Sequence, residues 1–371
     1  MSMALQNEKP RKKTSNWALG CGITCLVLIV LAVVLGISGV IYFTGSASMA
    51  EPACFVTNKA SGHLWITLRP HDAPVAELVG NLLVAAQEVN QRQQASELPP
   101  PLRSLIERAQ KGQQADPAYM KQFMPFRLAL GYEFRRNEED DEKSQTVGAV
   151  DFAKFGRMAG LMGKAMGANA QVKKHAGYTV YHQKDNSLCF TGSGVAFASE
   201  PDMLLECLDK VAGGQEEALP KRLQELSEPL DPNAVIHGSI TNHEGALRHL
   251  LQRMMKGDKK ERSSDQQFIQ MLLSGLLLGV EGMSVEAKLD APELLTGNIY
   301  VFCRDDSTAE LVAMAFYELR DQANKELSAY DAELSVEKKV EDGFLTMSFQ
   351  VDGFQSYLLS KFTEKAAKGD G

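Results

Sequence analysis

The chain has 371 residues, 44% hydrophobic and 23% charged, with a formal net charge of −8; this excludes a fibrous repeat or a disordered tail and allows one large domain or two modest ones. An acidic chain repels phosphate backbones, and no basic patch interleaved with aromatics is present, which excludes nucleic acid as a partner. Six cysteines are too few for a disulfide framework at this length: Cys21 and Cys25 fall in an apolar N-terminal run, while Cys54, Cys189, Cys207 and Cys303 either stay thiols or form two bridges with no means of choosing the pairing.

Residues 1–16 form a basic tail, with Lys9, Arg11, Lys12 and Lys13 against Glu8. Trp17 to Phe43 then reads WALGCGITCLVLIVLAVVLGISGVIYF, without a charged side chain. At 1.5 Å per residue it makes a helix of roughly 40 Å, enough to cross a hydrocarbon layer of about 30 Å, with Trp17 and Tyr42 at the headgroup levels. The basic flank orients that end toward the cytoplasm, which leaves the bulk of the chain extracytoplasmic. The apolar stretch is about twice the length of a signal-peptide core, so an uncleaved anchor is expected, although Gly45 to Ala50 offers small residues for cleavage. Ala32 and Gly36 form a small-x-x-x-small pair through which two spans could meet.

Residues 44–62 read as a tether and 63–145 as the N-terminal part of the soluble body. His63 to Leu68 alternates as a strand, and Asp72 with Pro74 opens a helix carrying Val75, Leu78, Val79, Leu82 and Ala86. A polar, proline-punctuated stretch with a short helix near Leu105 follows, and Phe126 to Phe134 alternates again. The acidic run Glu138 to Glu142 reads as solvated; it lacks the glycine and alternate-position spacing of a calcium loop.

Residues 146–220 form a first α+β unit: a strand at Val147–Val150, a helix through Phe155 and Met166, strands at 171–175, 178–182, 188–190 and 195–198, and a helix announced by Ser199-Glu200-Pro201-Asp202 with Leu204, Cys207, Leu208 and Val211 inward. A second unit spans 232–364. Ala234 to Ile240 is a strand, and Thr241 with Glu244 has capping-box spacing before Leu247, Leu250, Leu251 and Met254. After a helix over Phe268 to Leu278 come alternating Met283, Val285, Ala287 and Leu289, an apolar strand at 299–303, and a helix over 307–328 burying Leu311, Val312, Ala315, Phe316, Leu319 and Ala323. Two strands joined at Glu341-Asp342-Gly343 and a helix over 353–364 complete it, and residues 365–371 read as a frayed tail. The expected fold is α+β: an N-terminal transmembrane helix, then a largely antiparallel sheet covered by helices on one face, in two related halves.

No catalytic, cofactor-binding or metal residue is assigned. Gly192-Ser193-Gly194 lacks the spacing of a nucleophile elbow and reads as a turn. His237, His243 and His249 are six residues apart, which on a helix prevents a shared face, and His63, His71, His175 and His182 read as strand-edge residues. Gly156, Gly160, Gly163 and Gly167 fall at helical steps, where each costs roughly 0.5 to 1 kcal/mol against alanine. That run marks either a tightly packed helix or an apolar groove formed by Phe155, Gly156, Met158, Gly160, Met162 and Gly163.

The basic tail with its span (Lys9 to Phe43), AVDFAKFGRMAG (Ala149 to Gly160) and GYTVYHQKDNSLCFTGSGVAFASEPDMLLECLD (Gly177 to Asp209) together resemble bacterial single-pass envelope proteins with a duplicated α+β extracytoplasmic domain. The resemblance covers under half of the chain and implies no activity and no site residue. The expected partners are the lipid bilayer, through residues 17–43, and another envelope protein or a second copy. Three functions are carried forward: a non-enzymatic binding or scaffold protein, an apolar-ligand or lipid-binding module, and a hydrolase whose site assembles only on folding.

Overall fold

The computed structural model describes residues 52–69, 72–92, 126–136, 142–151, 170–183, 186–191, 194–213, 219–247, 249–250 and 277–368. The span 17–43 with Ala32 and Gly36, the stretch from Phe155 to Gly163, and most of the helix expected over Phe268–Leu278 lie outside them. No helix among the described residues is long and apolar enough to cross a membrane.

Twelve strands make one antiparallel sheet: β1 (Gly62–Leu68), β2 (Phe126–Arg136), β3 (Glu142–Asp151), β4 (Gln171–His175), β5 (Tyr178–Gln183), β6 (Asn186–Thr191), β7 (Gly194–Ala198), β8 (Ile236–Thr241), β9 (Val280–Ala291), β10 (Leu294–Cys303), β11 (Glu333–Glu341) and β12 (Phe344–Asp352). Their order across the sheet is β11-β12-β10-β9-β8-β1-β2-β3-β7-β6-β5-β4. Near the middle of the sheet β1 pairs with β8, where Trp65 faces His237 and His63 faces Ser239. Both edges carry adjacent lysines, Lys173-Lys174 on β4 and Lys338-Lys339 on β11, a charge pattern that discourages edge-to-edge pairing.

Among the described residues five α-helices lie on the sheet: α1 (Ala73–Arg92), α2 (Pro201–Gly213), α3 (Lys221–Ser227), α4 (Asp306–Leu327) and α5 (Phe354–Lys368). α1, α4 and α5 cover the front face, where Ile66, Leu68, Leu128, Ile236, Leu289 and Val351 pack with Val75, Leu78, Leu82, Leu327, Tyr357 and Leu358. α2 and α3 lie on the back. There Leu204, Cys207 and Leu208 of α2 bury Ala129, Val147, Ala149, Ala196 and Ala198, while Leu223 and Leu226 of α3 pack with Val56, Ala60 and Trp65. The helices are therefore not confined to one face as the alternation implied, because the small side chains on the back of β2, β3 and β7 admit a second layer.

Several expectations are corrected. Part of the stretch read as a tether is packed: Cys54 and Phe55, in a 3₁₀ turn at Pro52–Phe55, and Val56, Thr57, Ala60 and Ser61 after it are buried. A Cβ on Gly131 would stand 2.8 Å from the Phe55 carbonyl, so the bare backbone of β2 is what lets the segment lie down. Strand β3 reaches back to Glu142, in the acidic run, where the ladder with β2 sets it opposite Arg136. Thr241 caps no helix; its N–H donates to the Ser61 carbonyl (2.8 Å), keeping it in the sheet, and the chain turns through left-handed φ at Glu244 and Gly245. In α4, capped by Asp305 accepting from the Thr308 N–H (2.7 Å), the buried stripe is Ala309, Val312, Ala313, Ala315, Ala323 and Leu327. Leu311 is half exposed, at 50%. Helix α5 continues to Lys368, into the stretch read as frayed.

Candidate functional site

The sheet register sets polar residues in a row on the back face. Trp65 faces His237, His237 faces Glu286, Glu286 faces Asn298, Asn298 faces Ser348, and Ser348 faces Glu337. This row crosses β1, β8, β9, β10, β12 and β11, and burial falls along it. Glu286 is 5% exposed, Asn298 is intermediate, and Ser348 and Glu337 are exposed. A parallel row runs through His63, Ser239, Ser284, Tyr300, Thr346 and Lys339.

Residues 219–234 roof the inner end. A Cβ on Gly282 would stand 2.6 Å from Leu226, so glycine there lets α3 approach. Ser284 Oγ donates to the Leu226 carbonyl (2.5 Å) and lies 3.0 Å from Ser239 Oγ, from which it can accept, and Ser239 Oγ meets Ser227 Oγ at 2.9 Å. Glu286 accepts from the Asp231 N–H (2.5 Å), Asn298 Nδ2 (2.8 Å) and Tyr300 OH (3.1 Å), a saturation that holds the carboxylate as structure. Asp231 also pairs with Lys288 (2.5 Å), whose hydrogen bond holds the Asp231 carboxyl below its ordinary value.

Deeper in, Trp65 lies between two imidazoles, 4.6 Å from the His63 ring and 4.9 Å from that of His237. Both ring nitrogens of His63, and the Trp65 indole nitrogen, are buried without a hydrogen-bond partner among the described residues. Burial, aided by His237, pushes the His63 pKa down to about 3, and burial lowers His237 in spite of nearby Glu286. Both are neutral at pH 7. Burial, then the Glu286 charge, pushes Tyr300 up to about 12.

Beyond the roof no described element covers the back face, and Ser335, Glu337, Ser348 and Gln350 are exposed. A groove of about 360 Å³ is lined by Glu286, Lys288, Thr296, Asn298, Ser335, Glu337, Ser348 and Gln350 among others. Ser348 Oγ donates to Asn298 Oδ1 (2.8 Å), orienting that amide. The groove offers hydroxyls, amides and a carboxylate, groups that recognise a polar surface by hydrogen bonds. A second cavity, about 380 Å³ and bordered by Tyr181, Leu188 and Phe197, lies at the other end of the sheet.

The histidines considered as ligands stay apart: His237 is in the row, His243 is beside Glu244, and His249 contacts Tyr132 OH (3.1 Å) and the Phe134 ring. Among the described residues no group of three His, Cys, Asp or Glu could hold a metal. His182 Nδ1 meets Ser187 Oγ at 2.8 Å across β5 and β6, with no carboxylate among the described residues on the other ring nitrogen to orient it. His63 is a core residue of the central strand, contrary to the edge placement expected of it, and Cys54, Cys189, Cys207 and Cys303 are thiols.

No family model and no curated protein matches the chain. Three solved structures, crystal forms IV, III and I of TP0453, cover 85% of it and 97%, 100% and 99% of their own chains, at 8%, 7% and 9% identity and TM-scores of 0.40, 0.41 and 0.39. A likeness at that level carries no argument about function.

Proposed function

We propose that the chain is a single-pass membrane protein whose extracytoplasmic body is a non-enzymatic binding or scaffold module, presenting the open back face of β9, β10, β12 and β11 to a partner. The observation that carries this reading is the groove of about 360 Å³ on a sheet face that no helix among the described residues covers, while the front of the same strands is packed against α4 and α5. Anchorage is supported by the uncharged run 17–43 and its basic flank. Residues 44–51, fully extended, reach at most about 30 Å, and the chain is buried in the body from Cys54. The body is thereby held close to the bilayer, which favours another envelope protein or a second copy as partner over a freely diffusing one.

The strand order also supports two related halves. Outward from the centre, β1-β2-β3-β7-β6 and β8-β9-β10-β12-β11 run in the same sequence, with β4 and β5 as an added hairpin. The repeat so drawn begins at β1, earlier than residue 146. The cavity bordered by Tyr181, Leu188 and Phe197 favours a second reading, an apolar-ligand module, because it joins rings and an aliphatic chain at about 380 Å³.

The test uses the full-length protein in its own membrane. A C-terminal epitope is expected to be cleaved by protease added to intact cells, and a photo-crosslinker at Ser348 is expected to give a discrete adduct that the same group at Glu318, on α4, does not. A protected C-terminus removes the topology, and equal adducts from both positions, or none from Ser348, remove the open face as the binding surface.

A further inference from the structure

Helix α2 is fastened to the segment that leads in from the N-terminal run by polar contacts on both sides of Cys207. Just before it, Glu206 Oε1 accepts from the Asn58 N–H at 3.1 Å. Nearly one turn after it, Lys210, itself buried, donates from Nζ to the Val56 carbonyl (3.0 Å) and to Asn58 Oδ1 (3.1 Å). Helical geometry then aims Cys207, 0% exposed, into the interface with residues 52–58. Cys54, 5% exposed, lies in the 3₁₀ turn of that segment and in the same apolar cluster. Phe55, its neighbour in that turn, is fully buried in the same cluster, so the turn and α2 share one apolar contact. Cys189, in the same cluster, sits on β6 of the sheet, and burial alone accounts for its behaviour.

We propose that Cys54 and Cys207 are a disulfide-forming pair, whose closure locks residues 52–58 onto α2 and so ties the body covalently to the end of the chain that emerges from the span. The pairing stands on the α2 interface; its formation in the cell rests on the extracytoplasmic reading above.

The oxidant is a disulfide donor, such as oxidised glutathione or an oxidised dithiol protein. The Cys54 thiol loses its proton to solvent and its thiolate attacks one donor sulfur; the donor S–S bond breaks and one donor thiolate leaves with the electron pair. The Cys207 thiolate then attacks the Cys54 sulfur of the mixed disulfide and expels the second donor thiolate. The protein loses two hydrogens, and the donor gains them as two thiols. Burial pushes the Cys207 thiol up to about 12, so its thiolate is scarce while α2 is docked; closure belongs to folding, or to opening of the segment.

The full-length protein, reduced and refolded in detergent in a mixture of oxidised and reduced glutathione, is trapped with an alkylating agent, digested and mapped by mass spectrometry. The expected product is one peptide pair linking Cys54 to Cys207. It is two hydrogens lighter than the separate peptides, lost on reduction, retained in Cys189→Ser and Cys303→Ser, and absent in Cys207→Ser. The closed form should also unfold at a higher denaturant concentration than the reduced form. The wild-type map decides the matter even if a variant fails to fold: refolded protein in which Cys54 and Cys207 are both alkylated, or in which Cys54 is joined to Cys189 or Cys303, overturns the pair. The same map on protein alkylated in intact cells separates the two claims. A bridge present there supports both, whereas one that closes only in vitro leaves the pair standing and contradicts the extracytoplasmic reading.

Discussion

The two ends of the sheet treat their back faces in opposite ways. On β2, β3 and β7 that face carries Ala129, Val147, Ala149, Ala196 and Ala198, each at most 2% exposed beneath α2 and the 52–56 segment. On β10, β12 and β11 it carries Asn298, Ser348, Gln350, Ser335 and Glu337, with Ser348, Gln350, Ser335 and Glu337 exposed. Small apolar side chains let a helix approach, and the hydrophobic gain of the second layer closes that end. Hydroxyls, amides and carboxylates would each have to be repartnered on burial, so the other end stays in water. One strand pattern thus yields a face packed under a helix on one side of the sheet and an exposed polar face on the other, with the roofed polar row as the transition between them.

This contrast can be broken by substitution. Leu204→Ala empties a fully buried site under α2 and should cost about 3 kcal/mol in denaturant titration; a loss under about 1 kcal/mol would mean α2 does not seal that end. The next effect belongs to the seam. His63 has a folded pKa of about 3 against 6.5 unfolded, so between those values the unfolded chain binds the extra proton. Its contribution is complete above pH 6.5 and is lost as pH falls toward 3, at about 1.4 kcal/mol per pH unit, or roughly 3 kcal/mol by pH 4. His63→Phe should flatten the acid limb of stability against pH by that amount, and an unchanged slope relative to wild type contradicts the buried neutral imidazole.

Under the roof, Ser284→Ala removes the bonds to the Leu226 carbonyl and Ser239, with an expected loss of about 1 to 2 kcal/mol. The smallest effect is expected on the open face. Ser348→Ala should change stability by no more than about 0.5 kcal/mol while weakening any adduct formed through that face. A cost as large as that of Ser284→Ala would show that the open end is packed after all.

Strand and helix periods were legible because one face of each element is apolar: β1, β2, α1, α4 and both C-terminal strands fall close to where alternation and three- and four-residue steps put them. The site was not. In β9 alternation marks Met283, Val285, Ala287 and Leu289 as the buried set, yet Ser284 and Glu286 on the other face are 1% and 5% exposed, because α3 and Asp231 arrive from a separate stretch of chain. Lys210 was hidden for the same reason: a lysine in an amphipathic helix reads as solvated until the carbonyl of Val56 is known to lie beneath it. The one usable signal was the unusual polarity of the back-face positions on β8, β9 and β10, where serine and glutamate recur opposite histidine and tyrosine. Pairing order, which no local pattern encodes, was needed to turn it into a row.

The most direct measurement is thiol labelling of the purified full-length protein in detergent, with Ser348→Cys at the open end and Ala196→Cys at the sealed end, each read against the wild-type background. The account predicts rapid labelling at position 348 in the native protein and labelling at position 196 only after denaturation. Equal native reactivity at the two positions, or protection of both, would contradict it.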